Sequence, residues 1–324
     1  MKGEKINSYI DGRGFIIISS LIAFTLAIIT LISNITINER IFDYGLFANS
    51  ANMWLDKGTL SWSINLVTII AIAIVITVCN NQFQFIRSFT SLLATIFVIL
   101  ATCNTHISNT LIDGNILALV TIISVSLLYF TFQYGNPVIL FSIFTLIITC
   151  SFFNYAYLTL LPIFILGAMQ MKAINTKTVL AIVLGIIIPF WIIYGLHIFS
   201  PSDIKSINMV SIARAVVIAD SPIFIYNLTT AVITFFLLIK NMITIYNFPP
   251  QERAYNGVLT LLTLWSIVMP MIDYYNSNSY MPTLYLCCAV QGAHAYTSSR
   301  DRYKYLWVIT LILAYLSLYI WQLL

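Results

Sequence analysis

The sequence predicts an all-α integral membrane protein, a bundle of about eleven transmembrane helices, and three observations carry that expectation. Of its 324 residues, 60% are hydrophobic and 8% charged, with a mean hydropathy of +0.93. A bilayer core takes roughly 20 consecutive apolar residues per helical crossing. The chain offers about eleven such windows at that length and leaves no stretch for a soluble domain, so residues 1–324 read as one polytopic membrane domain. The few charges, finally, sort by side of the membrane.

Helices are expected over 14–33, 60–78, 89–103, 115–132, 138–153, 155–171, 178–199, 222–239, 257–272, 281–297 and 306–323. Lys2, Lys5 and Arg13 precede the run Gly14 to Ser33. That run is too long for the apolar segment of a cleavable signal and lacks a small-residue cleavage site, so the first helix is expected to stay as a signal-anchor. The third, fifth and sixth helices are short, which a bilayer accommodates by thinning or neighbouring helices by shielding. The pair around Asn154 is the least determined. Residues 138–171 also read as one kinked helix or a re-entrant hairpin, and either would move everything downstream to the other side.

Charge arbitrates. With the N-terminus in the cytoplasm, the inner segments hold Lys2, Lys5, Arg13, Arg87, Lys172, Lys177, Lys240, Arg253, Arg300, Arg302 and Lys304, while the outer ones hold Arg40, Lys57, Lys205 and Arg214. This is the positive-inside bias. Glu39, Asp43, Asp56, Asp113, Asp203, Asp220 and Asp273 fall outside; Glu4, Asp11, Glu252 and Asp301 fall inside. One helix over 138–171 would carry Lys172, Lys177 and the Arg300–Lys304 cluster outward, so charge favours two. The odd count puts the C-terminus at Leu324 outside. The net charge of +4 follows from this topology and points to no nucleic-acid partner.

Four polar stretches interrupt the apolar runs. The outer loop 34–59 carries Glu39 and Asp43, and after Asp43 the residues Tyr44, Phe47, Ala48, Met53, Trp54 and Leu55 form an apolar face. An interfacial helix ending near Gly58 is expected there. Asn80 to Arg87 reads as a short amphipathic element at headgroup level. The outer loop 200–221 holds Ile207 to Ile218, expected as a helix lying on the outer interface. Asp273 to Tyr280 reads as a lid or an aromatic belt.

Chemistry has few places to be. Five cysteines lie in or beside apolar runs and read as packing residues, not a disulfide framework. No Cys/His spacing resembles a metal site, and no nucleotide loop, zinc helix motif or serine elbow occurs, so no cofactor is assigned. None of the expected helices carries an acid or base near its centre, which weighs against ion-coupled transport. Carriage of a neutral or lipidic substrate stays open, with Pro162, Gly167, Gly185 and Pro189 as candidate helix breaks. The candidate catalytic residues are Asp43, then Glu39, as general base or metal ligand, with Asp113, Asp273 and His106 supporting. The alternative is plainer: these acids are hydrated loop charges obeying the side bias, and His106 and His197 are interface groups.

Two resemblances follow from these residues. An outer acid ahead of an interfacial helix after the first span is similar to the arrangement in multi-span glycosyltransferases that use lipid-linked sugars. That likeness implies an outer-loop carboxylate acting as base or metal ligand. The stretches NQFQFIRSFTSLLATIFVILATC (81–103), LIDGNILALVTIISVSLLYFTF (111–132) and NYAYLTLLPIFILGAMQMKAINTKTVLAIVLGIIIPFWIIYGL (154–196) resemble an uncharacterised family of polytopic inner-membrane proteins of Gram-negative bacteria. The likeness rests on Arg87, Leu161-Pro162, Lys172, and Gly185 with Pro189-Phe190. It implies an inner-membrane, cell-envelope location and adds no catalytic residue. Two classes of function therefore stay open. One is an envelope-biogenesis enzyme acting on a lipid-linked glycan from the outer face. The other is a scaffold subunit partnered by other membrane proteins, or a carrier for a neutral or lipidic substrate.

Overall fold

A helix whose polar groups find partners only inside the protein cannot face lipid, and one such helix forms the axis of this chain. The computed structural model describes residues 7, 10, 12–33, 45–55, 58–86, 91–198, 205, 207, 209–211, 222–299 and 303–324. Among them are the helices α1 (Arg13–Ile32), α2 (Thr59–Phe83), α3 (Leu92–Cys103), the short α4 (Thr105–Asn109), α5 (Asp113–Tyr129), α6 (Pro137–Ser151), α7 (Leu161–Gln170), α8 (Thr176–Gly195), α9 (Pro222–Ile245), α10 (Pro250–Ile272), α11 (Ser277–Ser298) and α12 (Lys304–Leu323). Turns of 3-10 helix cover Ala51–Met53 and Tyr155–Leu160. No strand occurs among the described residues.

Each of the expected intervals holds a helix. Six of them, α1, α2, α8, α9, α10 and α12, are long and apolar enough to cross a bilayer by themselves. The chain is an all-α membrane protein on that ground. The axial helix is α11, in which every residue from Ser279 to Tyr296 is buried. It packs against α3, α5, α9 and α10. Its Ser, Thr, Cys, Ala and Gly residues let those neighbours approach closely. The long helices surround this centre and turn Ile17, Leu21, Val67, Ile74, Leu180, Trp191, Phe236 and Leu313 outward. In water such surfaces would have to be covered; in lipid they are already solvated.

Shielding explains the short helices. The 12 residues of α3 rise about 18 Å, well under the roughly 30 Å of a hydrocarbon core. Nearly all of them are buried, so α3 spans the protein without having to span lipid.

The segment around Asn154 is two antiparallel passes. At one end the Gln133 N–H donates to the Met171 carbonyl at 3.0 Å. Gly135, at φ +36°, lies so close to Ala173 that a Cβ would sit 2.5 Å from its carbonyl oxygen. Residues 133–137 and 171–173 thus share one end. At the other end Asn154 reaches Asp113 at the head of α5. The hairpin therefore runs alongside α5 for its length, which excludes one long helix over 138–171.

The bundle has two unlike ends. One gathers Asn52, Asn104, Asp113, Asn154 and Asp273, with Lys205 close to Leu46. The other carries Lys172, Lys177, Lys240, Glu252, Arg253 and Lys304 at helix ends and turns.

Several expected boundaries move, for one reason. α2 continues to Phe83, α9 to Ile245, and α10 begins at Pro250. Asn80, Asn241 and Asn256 look like loop residues, yet each is buried with a partner. Ile86 N–H donates to Asn80 Oδ1, Asn241 Nδ2 to Gln291, and Asn256 Nδ2 to the Phe85 carbonyl. Phe85 and Ile86 consequently turn into the core instead of lying as an amphipathic element at the interface. The expected interfacial helix of loop 34–59 does not form over residues 45–55, where bends and one 3-10 turn replace it. Leu46 and Phe47 instead plug a pocket of Phe152, Phe190 and Tyr194, and the Phe47 and Ala48 N–H groups both donate to the Phe152 carbonyl. The expected helix at 207–218 falls largely outside the described residues; Ile207 and Met209 to Ser211 are non-helical. α8 runs unbroken through Gly185 and Pro189, so it offers no helix break there.

Gly185 marks a close contact between α6 and α8. A Cβ on it would meet the Phe141 carbonyl oxygen at 2.9 Å and the Phe144 Cβ at 3.1 Å, both on α6. Gly185→Leu should wedge α6 from α8 and cost about 1–3 kcal/mol. Gly195→Ala, which has nothing within 4 Å, should not. Thermal unfolding in detergent micelles compares the two; equal midpoints would contradict this packing.

Candidate functional site

The polar end is assembled by asparagines that close helix starts. Asn104 caps α4 by accepting from the His106 and Ile107 N–H groups, while its amide donates to Tyr285 Oη at 2.7 Å. Asn154 caps the 3-10 turn by accepting from Ala156 N–H at 2.8 Å. Such caps satisfy backbone donors that a helix start leaves open. Both asparagines also have side-chain groups left over, and those build the site.

Asp113 opens α5 ahead of its apolar run and is buried. Its backbone N–H donates to Asn52 Oδ1 at 2.9 Å, and Asn52 N–H returns a bond to Asp113 Oδ1 at 3.2 Å. Asn154 Nδ2 donates to Asp113 Oδ2 and to Ser279 Oγ, each at 3.0 Å. Ser279 in turn donates to Asn276 Oδ1, and Asn276 Nδ2 donates to Asn154 Oδ1 at 3.3 Å. Every hydrogen-bonding position of the Asn154 amide is thereby used, and the amide ties the hairpin turn to the heads of α5 and α11.

The second acid lies on the other side of Asn276. Asp273 ends α10 and is fully buried. Its Oδ2 accepts from Tyr155 Oη at 2.7 Å and Tyr280 Oη at 3.1 Å, and the side chain and backbone N–H of Asn276 also donate toward the carboxyl. Tyr280 packs edge-on against Trp265, whose indole N–H donates to Thr159. The expected lid or belt at 273–280 is thus an inward-facing helix start.

Both carboxyls are harder to ionise than usual. Burial pushes Asp113 up to about 6, against the opposing pull of donors from Asn154, the Ala51 and Asn52 backbone and Ser50. Burial also raises Asp273, and the Tyr155 and Tyr280 hydroxyls pull the other way. Neither has a cationic partner among the described residues, and no group of three or more metal-binding side chains occurs among them. The arrangement suits proton holding: two buried carboxyls, each surrounded by neutral donors.

The structure thus brings Asp113 and Asp273 together through Asn154 and Asn276. His106 stands at the edge, its Nδ1 3.5 Å from the Asn278 amide. His197 is exposed at the end of α8 and does not join. Asp43 and Glu39 lie outside the described residues; the stretch that follows them supplies Asn52 to the site. Sequence reasoning missed Asn52, Asn154, Tyr155, Asn276, Ser279 and Tyr280. The signal available was the asparagine directly before a helical run at 154 and at 276. Comparison with protein-family models, with curated proteins and with solved structures finds no match, so the geometry alone carries the functional argument.

The pH dependence has a definite sign. Asp113 holds its proton more tightly in the folded chain, about 6 against an ordinary 3.8. Its ionisation therefore opposes folding, and stability should fall as pH rises from about 4 to 6 and level off above, by about 3 kcal/mol for that shift. Asp113→Asn should flatten this slope. Asn154→Ala removes a donor to the ionised carboxyl, so it should cost more at pH 8 than at pH 5. Thermal unfolding of the purified chain at the two pH values reads both, and a pH-independent penalty for Asn154→Ala would contradict the assignment.

Proposed function

We propose that this is an eleven-pass protein of a bacterial inner membrane, with its N-terminus in the cytoplasm and Leu324 outside, that handles a lipid-linked glycan from the outer face in cell-envelope biogenesis. The observation that carries this reading is Asp273: a fully buried carboxyl held by two tyrosine hydroxyls and by Asn276, with its proton affinity raised by burial. A carboxyl with raised affinity for its proton is expensive to bury, and such groups mark sites more often than the rest of a membrane helix does. The orientation is supported by Lys172, Lys177, Lys240, Arg253 and Lys304 at the end opposite Asp113 and Asp273.

In this reading Asp273 is the general base. Its Oδ1 takes the proton of an acceptor hydroxyl as that oxygen bonds to the sugar's anomeric carbon. The bond from that carbon to the lipid phosphate breaks, and the phosphate leaves with the electron pair. Asp113 is a positioning residue that sets the heads of α5 and α11. Asp43, with Glu39 behind it, precedes the anchored stretch Leu46–Met53 and is retained as a second base or metal ligand.

A specific observation favours the second reading, a scaffold subunit or lipidic carrier. Both Asp113 oxygens are filled by the protein's own donors, as a permanent latch requires. Native mass spectrometry of the protein gently extracted from its own membrane separates the two. A retained polyprenyl-phosphate or glycolipid supports handling of a lipid-linked glycan, and a retained protein subunit supports the scaffold. Asp273→Asn should keep the unfolding midpoint near wild type yet fail to restore the envelope glycan in cells lacking the gene. Full restoration would remove Asp273 from any chemistry. For the topology, a protease site appended after Leu324 should be cut in intact spheroplasts; protection would reverse the orientation.

A further inference from the structure

At the end of the bundle away from the acids, α9, the end of α11 and the start of α12 enclose a cavity of about 680 Å³. Along α11, Ala295 in its wall lies about 24 Å from Ser279 at the rise of an α-helix, so this cavity is separate from the acid site. Its wall changes character from end to end. Phe236, Leu237 and Trp307 are apolar, whereas Lys240 and Lys304 bring two ammonium groups. Phe236 is among the most exposed side chains on the lipid-facing surface of α9.

Lys304 is oddly placed for a helix. It is the first residue of α12, where the backbone dipole disfavours a cation. No acidic residue occupies that first turn, and Tyr303 supplies no side-chain cap. The ammonium is fixed instead over the ring of Tyr296, 4.2 Å from its centroid. Neither Lys304 nor Lys240 pairs with a carboxylate among the described residues. An anion bound here would meet both ammonium groups at the positive end of the α12 dipole. A free inorganic anion would leave the aromatic and aliphatic wall unused, whereas an amphiphile would fill it.

We propose that this cavity binds an anionic phospholipid, its phosphate at Lys240 and Lys304 beside the start of α12 and its acyl stems along Phe236 and Trp307. Basic recesses between membrane helices on the cytoplasmic side have the chemistry for such headgroups. The inference stands apart from the outer-face reading and survives if that reading fails.

The test is native mass spectrometry of the full-length protein in detergent, titrated with phosphatidylglycerol, with phosphatidylcholine or with sodium phosphate. Phosphatidylglycerol should bind in preference to phosphatidylcholine, and added salt should weaken it. The double variant Lys240→Gln/Lys304→Gln should lose about tenfold or more in apparent affinity for phosphatidylglycerol. Lys304→Arg should retain it, which separates loss of charge from loss of fold. Equal binding of the two lipids by the wild-type protein would overturn the proposal in favour of an uncharged groove. Full displacement of the lipid by inorganic phosphate would overturn it in favour of a free-anion site. Unchanged phosphatidylglycerol binding in the double variant would place the lipid elsewhere.

Discussion

The amide of Asn154 is the constraint on which the polar end depends. Inside a bilayer no water stands ready to satisfy a polar group, so each must find its partner in the protein. Asn154 offers donors to Asp113 and Ser279 and accepts from Ala156 and Asn276. Those four bonds fix where the hairpin turns, and at what depth α5 and α11 begin. The consequence is visible next door. Gly114 lies so close to α11 that a Cβ would sit 2.4 Å from the Asn278 carbonyl oxygen and 2.8 Å from Pro282. Such an approach is tolerable only at glycine, and only because the bonds around it hold the two helices in register.

The same demand organises α11 along its length. Ser279, Thr283, Cys287, Gln291 and His294 recur at helical spacing and share one face. Midway to the basic end, Gln291 donates to Thr263 of α10 and accepts from Asn241 of α9. Bonds between helices are one of the few forces that favour association when lipid tails are as apolar as the side chains. A helix this polar could not be left facing lipid, and the six long apolar helices remove the need. The division of labour is physical: the outer helices meet the solvent, while the inner ones hold the arrangement.

This division decides what was legible in the sequence. The helical intervals and the gathering of basic and acidic residues at opposite ends could be read directly, because hydropathy and charge act on residues one at a time. Boundaries failed at Asn80, Asn241, Asn256 and Ser277 to Ser279, where buried polar residues resemble loops until their partners are known. Leu46 and Phe47 misled differently: their spacing suits an interfacial helix, but the aromatic pocket of Phe152, Phe190 and Tyr194 captures them. Asp113, Asp273 and His106 could be picked out as residues of one side. That Asp113 and Asp273 share a network could not, since the link runs through residues 154 and 276, whose contacts are wholly tertiary.

The balance at Asp113 shows how the acid-bearing end is tuned. As the first residue of α5 it sits where the helix dipole favours a negative charge, and several donors converge on its oxygens. In water that environment would hold the group ionised well below its ordinary range. Burial nevertheless wins, because neutral donors screen a charge less completely than water does. A lysine or arginine in the network would have settled the matter in favour of the ion. Among the described residues both acids are instead surrounded by amides and hydroxyls, which favour the ionised form but offset burial only in part. At Asp113 this leaves the proton held up to about pH 6, with no cationic partner among the described residues.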